Sequence, residues 1–422
     1  MKRTTGAGAA MGMTAALDLT LGHVQQLGTV QVPLSEGLNR VLTTDIRARV
    51  DSPSLDASLM DGYAVRAADL SGAKKNRPVA LKLAGTAAAG SLPDRVVESQ
   101  HTIRVLTGGP IPMGADAVVP EELTTQQDRH VEFYQSVECG ANILPKGSDL
   151  TKSQVVAREG CLITPGLLGI LAAAGHSRVQ VVQPPEVALI ATGDEVTISG
   201  KPLLEGHLYA SNITTLDGWC RRYGFQTRCC VVGDEPEDIY RTLSSSIDQT
   251  DAVVTSGGAW TGDRDQVAQG LRGLGWTQVF HGIRMVPGKG VGFGLLDRKP
   301  VFMLPGGPSA NVMGFLQIAL PGLLRLAGYR HTGLPELTVQ LAAELNGRHM
   351  DWTQFVFGTL ERQSSRHVFH PLLTRSRLKA VAIAEAIVAI PEGENHLPAG
   401  TVVKAQLLDC NSTFRMQETR NE

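Results

Sequence analysis

The chain is poor in aromatics, balanced in charge and without a long apolar run, and each lack excludes a class of function. Phe, Trp and Tyr make up 5% of its 422 residues, too few for the stacking platforms that hold single-stranded nucleic acid. Lys and Arg number 39 against 41 Asp and Glu, so no bulk field draws the chain to nucleic acid or to an anionic membrane. No stretch approaches the roughly 18 consecutive apolar residues of a membrane span. The opening MKRTTGAGAAMGMTAALDLT has no unbroken apolar core and reads as a loose tail, not a secretory signal. The six cysteines form no C-x-x-C pair and no zinc-spaced cluster with histidine. They read as inert thiols of a reducing compartment. A cytoplasmic protein with no nucleic-acid or membrane partner is expected.

What the chain does have is glycine, 46 residues of it, placed where turns are needed. At about 150 residues per domain, the length allows about three domains. Residues 12–30 suit a first helix. Residues 79–160 are short apolar runs broken by Gly, Pro and Asp, the texture of a β-rich domain. "TPGLLGILAAAG" (164–175) carries a helix signature, with Thr164 as N-cap, Pro165 in the first turn and Gly175 as stop. "QPPE" (183–186) reads as a linker. From Val187 onward apolar strands alternate with helical stretches, which predicts an α/β fold with a parallel sheet and helices on both faces. Beyond residue 332 short strands return, predicting a small barrel or sandwich.

In an open α/β sheet, ligands bind at the carboxyl ends of the strands. Three turns fall there: "ATGDE" (191–195), "TSGGAWTGDRD" (255–265) and "LPGGPSAN" (304–311). Their glycines let a phosphate reach backbone N–H groups. Asp194, Glu195, Asp263 and Asp265 are hard oxygen donors suited to Mg²⁺, which often bridges to phosphate. Singly, such turns are ordinary turn chemistry and the acids ordinary caps. Three on one edge favour a phosphate-bearing ligand. Trp260, inside the second turn, is placed to stack on a flat ring, whereas His281 and the Cys229-Cys230 pair read as structural.

Seven segments in order resemble the MoeA/gephyrin family, the molybdopterin molybdenumtransferases. "DASLMDGYAVRAADL" (56–70) is similar to D-N-S-A-M-D-G-Y-A, and "LTGGPIPMGADAVVPEE" (106–122) to T-G-A-P-x-P-x-G-A-D-A-V-V. "GANILPKGSDL" (140–150), "ATGDEV", "SGGAWTGDRDQV", "VPGKGVGFG" and "LPGGPSANVMGF" follow. The resemblance implies a homodimer of four-part subunits. Residues 12–46 and 151–182 would form an elongated N-terminal domain and 47–150 an inserted β-rich domain. Residues 183–331 would form a MoaB-like α/β domain that binds molybdopterin, and 332–415 a C-terminal β-barrel. The implied reaction inserts molybdate into the dithiolene of adenylylated molybdopterin, with Mg²⁺, releasing AMP. A molybdopterin adenylyltransferase and maturation proteins of molybdoenzymes are implied partners.

Residue by residue, the resemblance gives Asp61, Glu195, Asp265 and Lys289 catalytic roles. Metal holding falls to Asp234, Glu195 and Asp265. Ligand binding falls to Thr107, Asp149, Thr192, Gly193, Ser256, Gly257, Gly258, Gly262, Pro305, Gly306 and Ser376. The departures cluster in the molybdate site. Val286 stands where lysine is expected, Gly290 where proline is, Gly307 where asparagine is and Phe357 where arginine is. Arg375 and Arg377 flank Ser376, as replacement cations or as surface decoration. Three readings follow: an active molybdenumtransferase with a rearranged oxyanion site, a paralogue that binds the nucleotide without inserting metal, or a non-enzymatic scaffold.

Overall fold

The structure, a computed structural model, describes residues 10–87, 90, 95–258, 266–363 and 366–408. Trp260, Gly262, Asp263 and Asp265 lie outside the described residues. The chain divides into two compact units, one made of Gln31–Leu38 with Leu42–Gln180 and the other of the remainder.

The smaller unit is built on a six-stranded sheet. Its order is Ala117–Pro120, Gly62–Val65, His101–Val105, Val79–Ala87, His130–Phe133 and Thr124–Gln127. Alternate residues face opposite sides of a strand. Tyr63 and Val65 accordingly join one buried cluster, with Val119 and Phe133, while Ala64 joins another, with Ile103 and Val118. The "DGYA" glycine has a steric reason: a Cβ on Gly62 would stand 2.2 Å from the Val119 carbonyl oxygen. The expected helix is Pro165–Ala173, capped by Thr164, whose side chain accepts from the Leu167 N–H at 3.3 Å. Gly175 follows it at φ +85°.

In the larger unit the first helix spans Met13–His23, shorter than the 12–30 expected, because the chain is already extended from Thr29. From residue 186 onward the principal strands are β1 Glu186–Thr192, β2 Gln226–Val232, β3 Ala252–Ser256, β4 Thr277–His281, β5 Ile283–Val286, β6 Gly292–Leu296 and β7 Lys299–Leu304. Helices α1 Ser211–Arg222, α2 Pro236–Gln249 and α3 Gln266–Gly273 alternate with them. The sheet order is β2-β1-β3-β7-β6-β4. It is parallel through its first four strands, as the alternation predicts, and antiparallel at the β6 and β4 edge. The reason is local. Asp297 and Arg298, both at positive φ (49° and 68°), link β6 to β7. A two-residue link of that geometry makes a hairpin, and a hairpin is antiparallel.

The barrel strands are β8 Glu336–Leu341, β9 Thr353–Gln363, β10 Arg366–Pro371, β11 Ala386–Ile390 and β12 Val402–Leu407. They close in the ring β9-β10-β8-β12-β11 and back to β9. Strand β5 pairs in parallel with β9, Met285 opposite Thr353, so the "VPGKG" turn leaves a strand tied to the barrel.

Between sheet and barrel runs a helical segment from Pro308 to Leu326, with one π-helical stretch at Phe315–Ala319. Residues 311–324 are buried without exception. A helix apolar on every side must be covered on every side. One continuous core accordingly joins sheet residues (Leu189, Val254, Phe302), this segment (Phe315, Leu320, Leu324) and the barrel region (Phe357, Ile387, Leu408). Gln317, buried in the segment, donates to Gln406 of β12 at 2.7 Å. Cys220 is buried in the same core, and burial pushes its thiol up to about 12. Cys230 is half-buried and packs against the helices of the other sheet face, while Cys229 is exposed. Among the described residues no helix is long and apolar enough to cross a membrane.

Candidate functional site

The carboxyl edge of the sheet opens into a cleft of about 1310 Å³ in the larger unit. Glycine-lined backbone forms its floor. At the end of β1, Gly193 takes φ +138°, and at the end of β3, Gly257 and Gly258 take +101° and +63°. A Cβ on Gly257 would stand 2.8 Å from the Thr192 carbonyl oxygen. Gly306, past β7, lies against Gly257, its Cβ position 3.7 Å from that Cα. The turns after β1, β3 and β7 therefore adjoin, and Thr192, Gly193, Ser256, Gly257, Gly258, Pro305 and Gly306 all line the cleft, beside Glu195, Asp234 and Lys289.

Two asparagines lock the turns together. Asn311 Nδ2 donates to Ser256 Oγ at 3.0 Å and to the Pro305 carbonyl at 2.9 Å, entirely buried. Asn212 Nδ2, in the first turn of α1, donates to the Gly306 carbonyl at 2.7 Å and to Ser256 Oγ at 3.2 Å. Ser256 is thus held from two sides. The N-terminus of α1 also faces the cleft through Ser211 and Asn212, and no side chain caps it. Its first N–H groups are unsatisfied within the helix and carry partial positive charge. Neither asparagine was singled out in the sequence, where Asn near a helix start reads as a cap.

The carboxylates divide by job. Asp194 Oδ1 accepts from the Asp234 N–H at 2.9 Å and ties the turn after β1 to the turn after β2. Glu195 folds over Gly193, its carboxylate 2.6–2.9 Å from where a Cβ would be. Among the described residues the Glu195 carboxylate makes no hydrogen bond, while its backbone carbonyl accepts from the Leu208 N–H at 2.9 Å. The Asp234 side chain takes only a long contact, 3.5 Å, from the Asp194 N–H. Among the described residues of the cleft, Glu195 and Asp234 are therefore the acids left available to a ligand.

The cations lie toward the other end. Lys289 is exposed, with its ammonium 5.7 Å from the centre of the Trp352 ring. Arg377, from the barrel region, lines the same cleft. Val286 lines it too, as an apolar wall, whereas Phe357 is buried in the core on β9. Ser376 does not line the cleft. It caps the short helix Arg377–Ile383, accepting from the Lys379 N–H at 3.2 Å. His281 packs beside Gly292, across the β4–β6 pair.

Asp61, Thr107 and Asp149 belong to the smaller unit. Asp61 Oδ1 accepts from Thr107 twice, from its N–H at 2.6 Å and its hydroxyl at 2.8 Å. These bonds, the backbone one foremost, hold the Asp61 carboxyl below the ordinary aspartate range. The pair is therefore complete at neutral pH and is lost only as pH falls through that lowered value. Thr107→Val is expected to move the Asp61 midpoint upward, toward its ordinary value, in a carbon-13 NMR titration. An unmoved midpoint would mean that the hydroxyl contributes nothing. Asp149 is exposed, in a loop whose backbone bonds to Ser52.

A parallel α/β edge with a glycine floor, free carboxylates at one end and cations at the other, has the features that suit a phosphate-bearing ligand. Comparison with known proteins narrows the class. Residues 11–175 match the MoeA N-terminal region (domains I and II), and residues 188–325 match the family described as probable molybdopterin binding domain. The chain belongs to the MoeA family. A molybdopterin molybdenumtransferase of Staphylococcus aureus (strain MSSA476) is 28% identical over 400 residues, 94% of this chain and 95% of that relative. One from Staphylococcus epidermidis (strain ATCC 12228) is 27% identical over 393 residues, 92% and 93% of the two chains. Two crystal structures of a molybdopterin biosynthesis MoeA protein from Pyrococcus horikoshii superpose over 94% of this chain. Their TM-scores are 0.76 at 28% identity and 0.77 at 25%, covering 99% and 100% of the known chains.

Proposed function

We propose that the chain acts in molybdenum cofactor biosynthesis, inserting molybdate into the dithiolene of adenylylated molybdopterin with release of AMP. The observation that carries this reading is the polarity of the cleft. Along the order β2-β1-β3-β7, Asp234 and Glu195 stand at the β2 and β1 end. The turns of β3 and β7 follow, and Lys289 and Arg377 are reached beyond Gly306 and Gly307. With strands about 4.8 Å apart, the span from carboxylates to cations is on the order of three strand spacings. That suits an elongated ligand with a metal at its phosphate end and an oxyanion at its reacting end.

The residues present fit Mg²⁺. This ion keeps several waters and takes one or two protein carboxylates plus substrate phosphate, not a closed protein cage. Among the described residues no three metal-ligating side chains converge, and Glu195 with Asp234 supplies the two. Bound there, Mg²⁺ offsets phosphate charge. The chain's own part is to cradle phosphate on the backbone of Gly193, Gly257 and Gly258, to fix Ser256 through its two asparagines, and to hold the oxyanion by cations. By the resemblance the protein works as a homodimer, supplied by a molybdopterin adenylyltransferase and followed by maturation proteins of molybdoenzymes. The same resemblance assigns Asp61, Thr107 and Asp149 parts in the reaction.

One observation favours a second reading. Val286 and Phe357 offer no charge to molybdate, so the protein would bind the nucleotide without inserting metal. A single-turnover assay separates the two. Protein is mixed with adenylylated molybdopterin, Mg²⁺ and molybdate, while AMP and protein-associated molybdenum are followed together. Coupled AMP release and metal uptake is expected. Bound nucleotide that stays intact would favour the second reading, and no binding at all would end both.

A further inference from the structure

Gly307 and Arg377 form a steric pair. A Cβ on Gly307 would stand 3.5 Å from Arg377 Nη1, already in van der Waals contact, so a side chain extending past Cβ at 307 would compete for the space the guanidinium uses. The two meet from distant parts of the chain. Gly307 ends the turn after β7, and Arg377 opens the short helix that Ser376 caps. Both line the cleft beside Lys289, Gly306 and Ser309. Among the described residues the Arg377 guanidinium makes no hydrogen bond and no ion pair, so its five N–H donors have no competing partner there. Lys289 is exposed, its ammonium over the Trp352 ring. The carboxylates of the cleft are at its other end. Arg375, two residues away, does not line the cleft.

We propose that Arg377 is an oxyanion-binding residue of this cleft. Acting with Lys289, it holds a tetrahedral dianion of the molybdate class, and Gly307 is the residue whose lack of a side chain admits it. The guanidinium suits the task, because its planar fork binds two oxygens at once and keeps its charge at any working pH. The sites at Val286 and Phe357 carry no charge, and Arg377 supplies one. This inference rests on the functional reading above for the identity of the ligand, but its test does not need the nucleotide.

The test is equilibrium binding of molybdate alone to the full chain, followed by calorimetry at low salt. Arg377→Gln is expected to weaken binding about tenfold or more, the range of a charge-assisted hydrogen-bond pair. Arg375→Gln is expected to leave it unchanged. Gly307→Asn is expected to match Arg377→Gln, and the double variant to add nothing further, since both remove one interaction. Thermal unfolding of each variant shows that it is folded. Equal affinities of wild type and Arg377→Gln would overturn the proposal, as would a wild-type protein that binds no molybdate. Molybdate binding that depends on Arg377, with no AMP released from the nucleotide, would leave the proposal standing and sink the transferase reading. AMP release and metal insertion at full rate in Arg377→Gln would do the reverse.

Discussion

Glu195→Gln combined with Asp234→Asn is expected to cut metal-dependent AMP release by about a hundredfold or more, the usual cost of losing charge stabilisation in a transition state. The fold is expected to survive. The Glu195 carboxylate makes no hydrogen bond among the described residues, and the bond that ties the two turns uses the Asp194 carboxylate and the Asp234 backbone N–H. Neither is touched by these substitutions. The single Glu195→Gln variant is expected to show a raised Mg²⁺ requirement, with part of the rate recovered at high Mg²⁺. Nucleotide affinity measured without metal is expected to fall little, because the glycine floor is intact. Full activity with an unchanged Mg²⁺ dependence would show that the metal is held elsewhere. Asp194→Asn has a different expected signature: it weakens the link between the turns after β1 and β2, so stability and rate fall together.

Asn311→Ala is expected to be the most damaging of the polar substitutions around the cleft. Asn311 is entirely buried and its amide satisfies both Ser256 Oγ and the Pro305 carbonyl. Truncation removes two hydrogen bonds, strands a buried carbonyl and leaves a cavity. The expected loss is about 2–4 kcal/mol, read as a shift in the urea midpoint without a change in slope. Ser256 is then held only from the Asn212 side, so nucleotide affinity is expected to fall as well. Asn212→Ala is the informative companion. Asn212 is only partly buried, and its removal is expected to weaken the nucleotide with less than about 1 kcal/mol of instability. A wild-type urea midpoint for Asn311→Ala would mean that the network contributes nothing to holding the turns.

Much of the α/β sheet was legible because its strands are short apolar runs separated by helices with ordinary start and stop signals. The parallel core and the β texture after residue 332 both follow from that. The β6–β7 hairpin was hidden because its turn is Asp297-Arg298, and arginine at positive φ carries no sequence signature of the Asn-Gly kind. The glycine turns and Glu195 were visible as motifs. Asn212 and Asn311 were not, because their importance lies in which turn each meets, and that depends on the register of strands far apart in sequence. The same limit applied around Ser376. Sequence offers three adjacent polar residues, and only the helix start at Arg377 decides that Ser376 is a cap, that Arg377 lines the cleft and that Arg375 does not. Phe357 is the converse case. Its place in a closed barrel makes it a core residue, and that explains why no charge stands there.

The buried segment 308–326 has a consequence for how the ligand is received. Because one core runs from the sheet through this segment into the barrel, the barrel is no hinged lid over the cleft. The wall bearing Arg377 and the floor bearing Gly257 and Gly306 are two faces of a single solid body. An incoming oxyanion meets donors whose backbone positions are already set, and that part of the ordering cost was met when the chain folded. Capture should then proceed at the pace of encounter, without a slow closing phase of the barrel over the cleft.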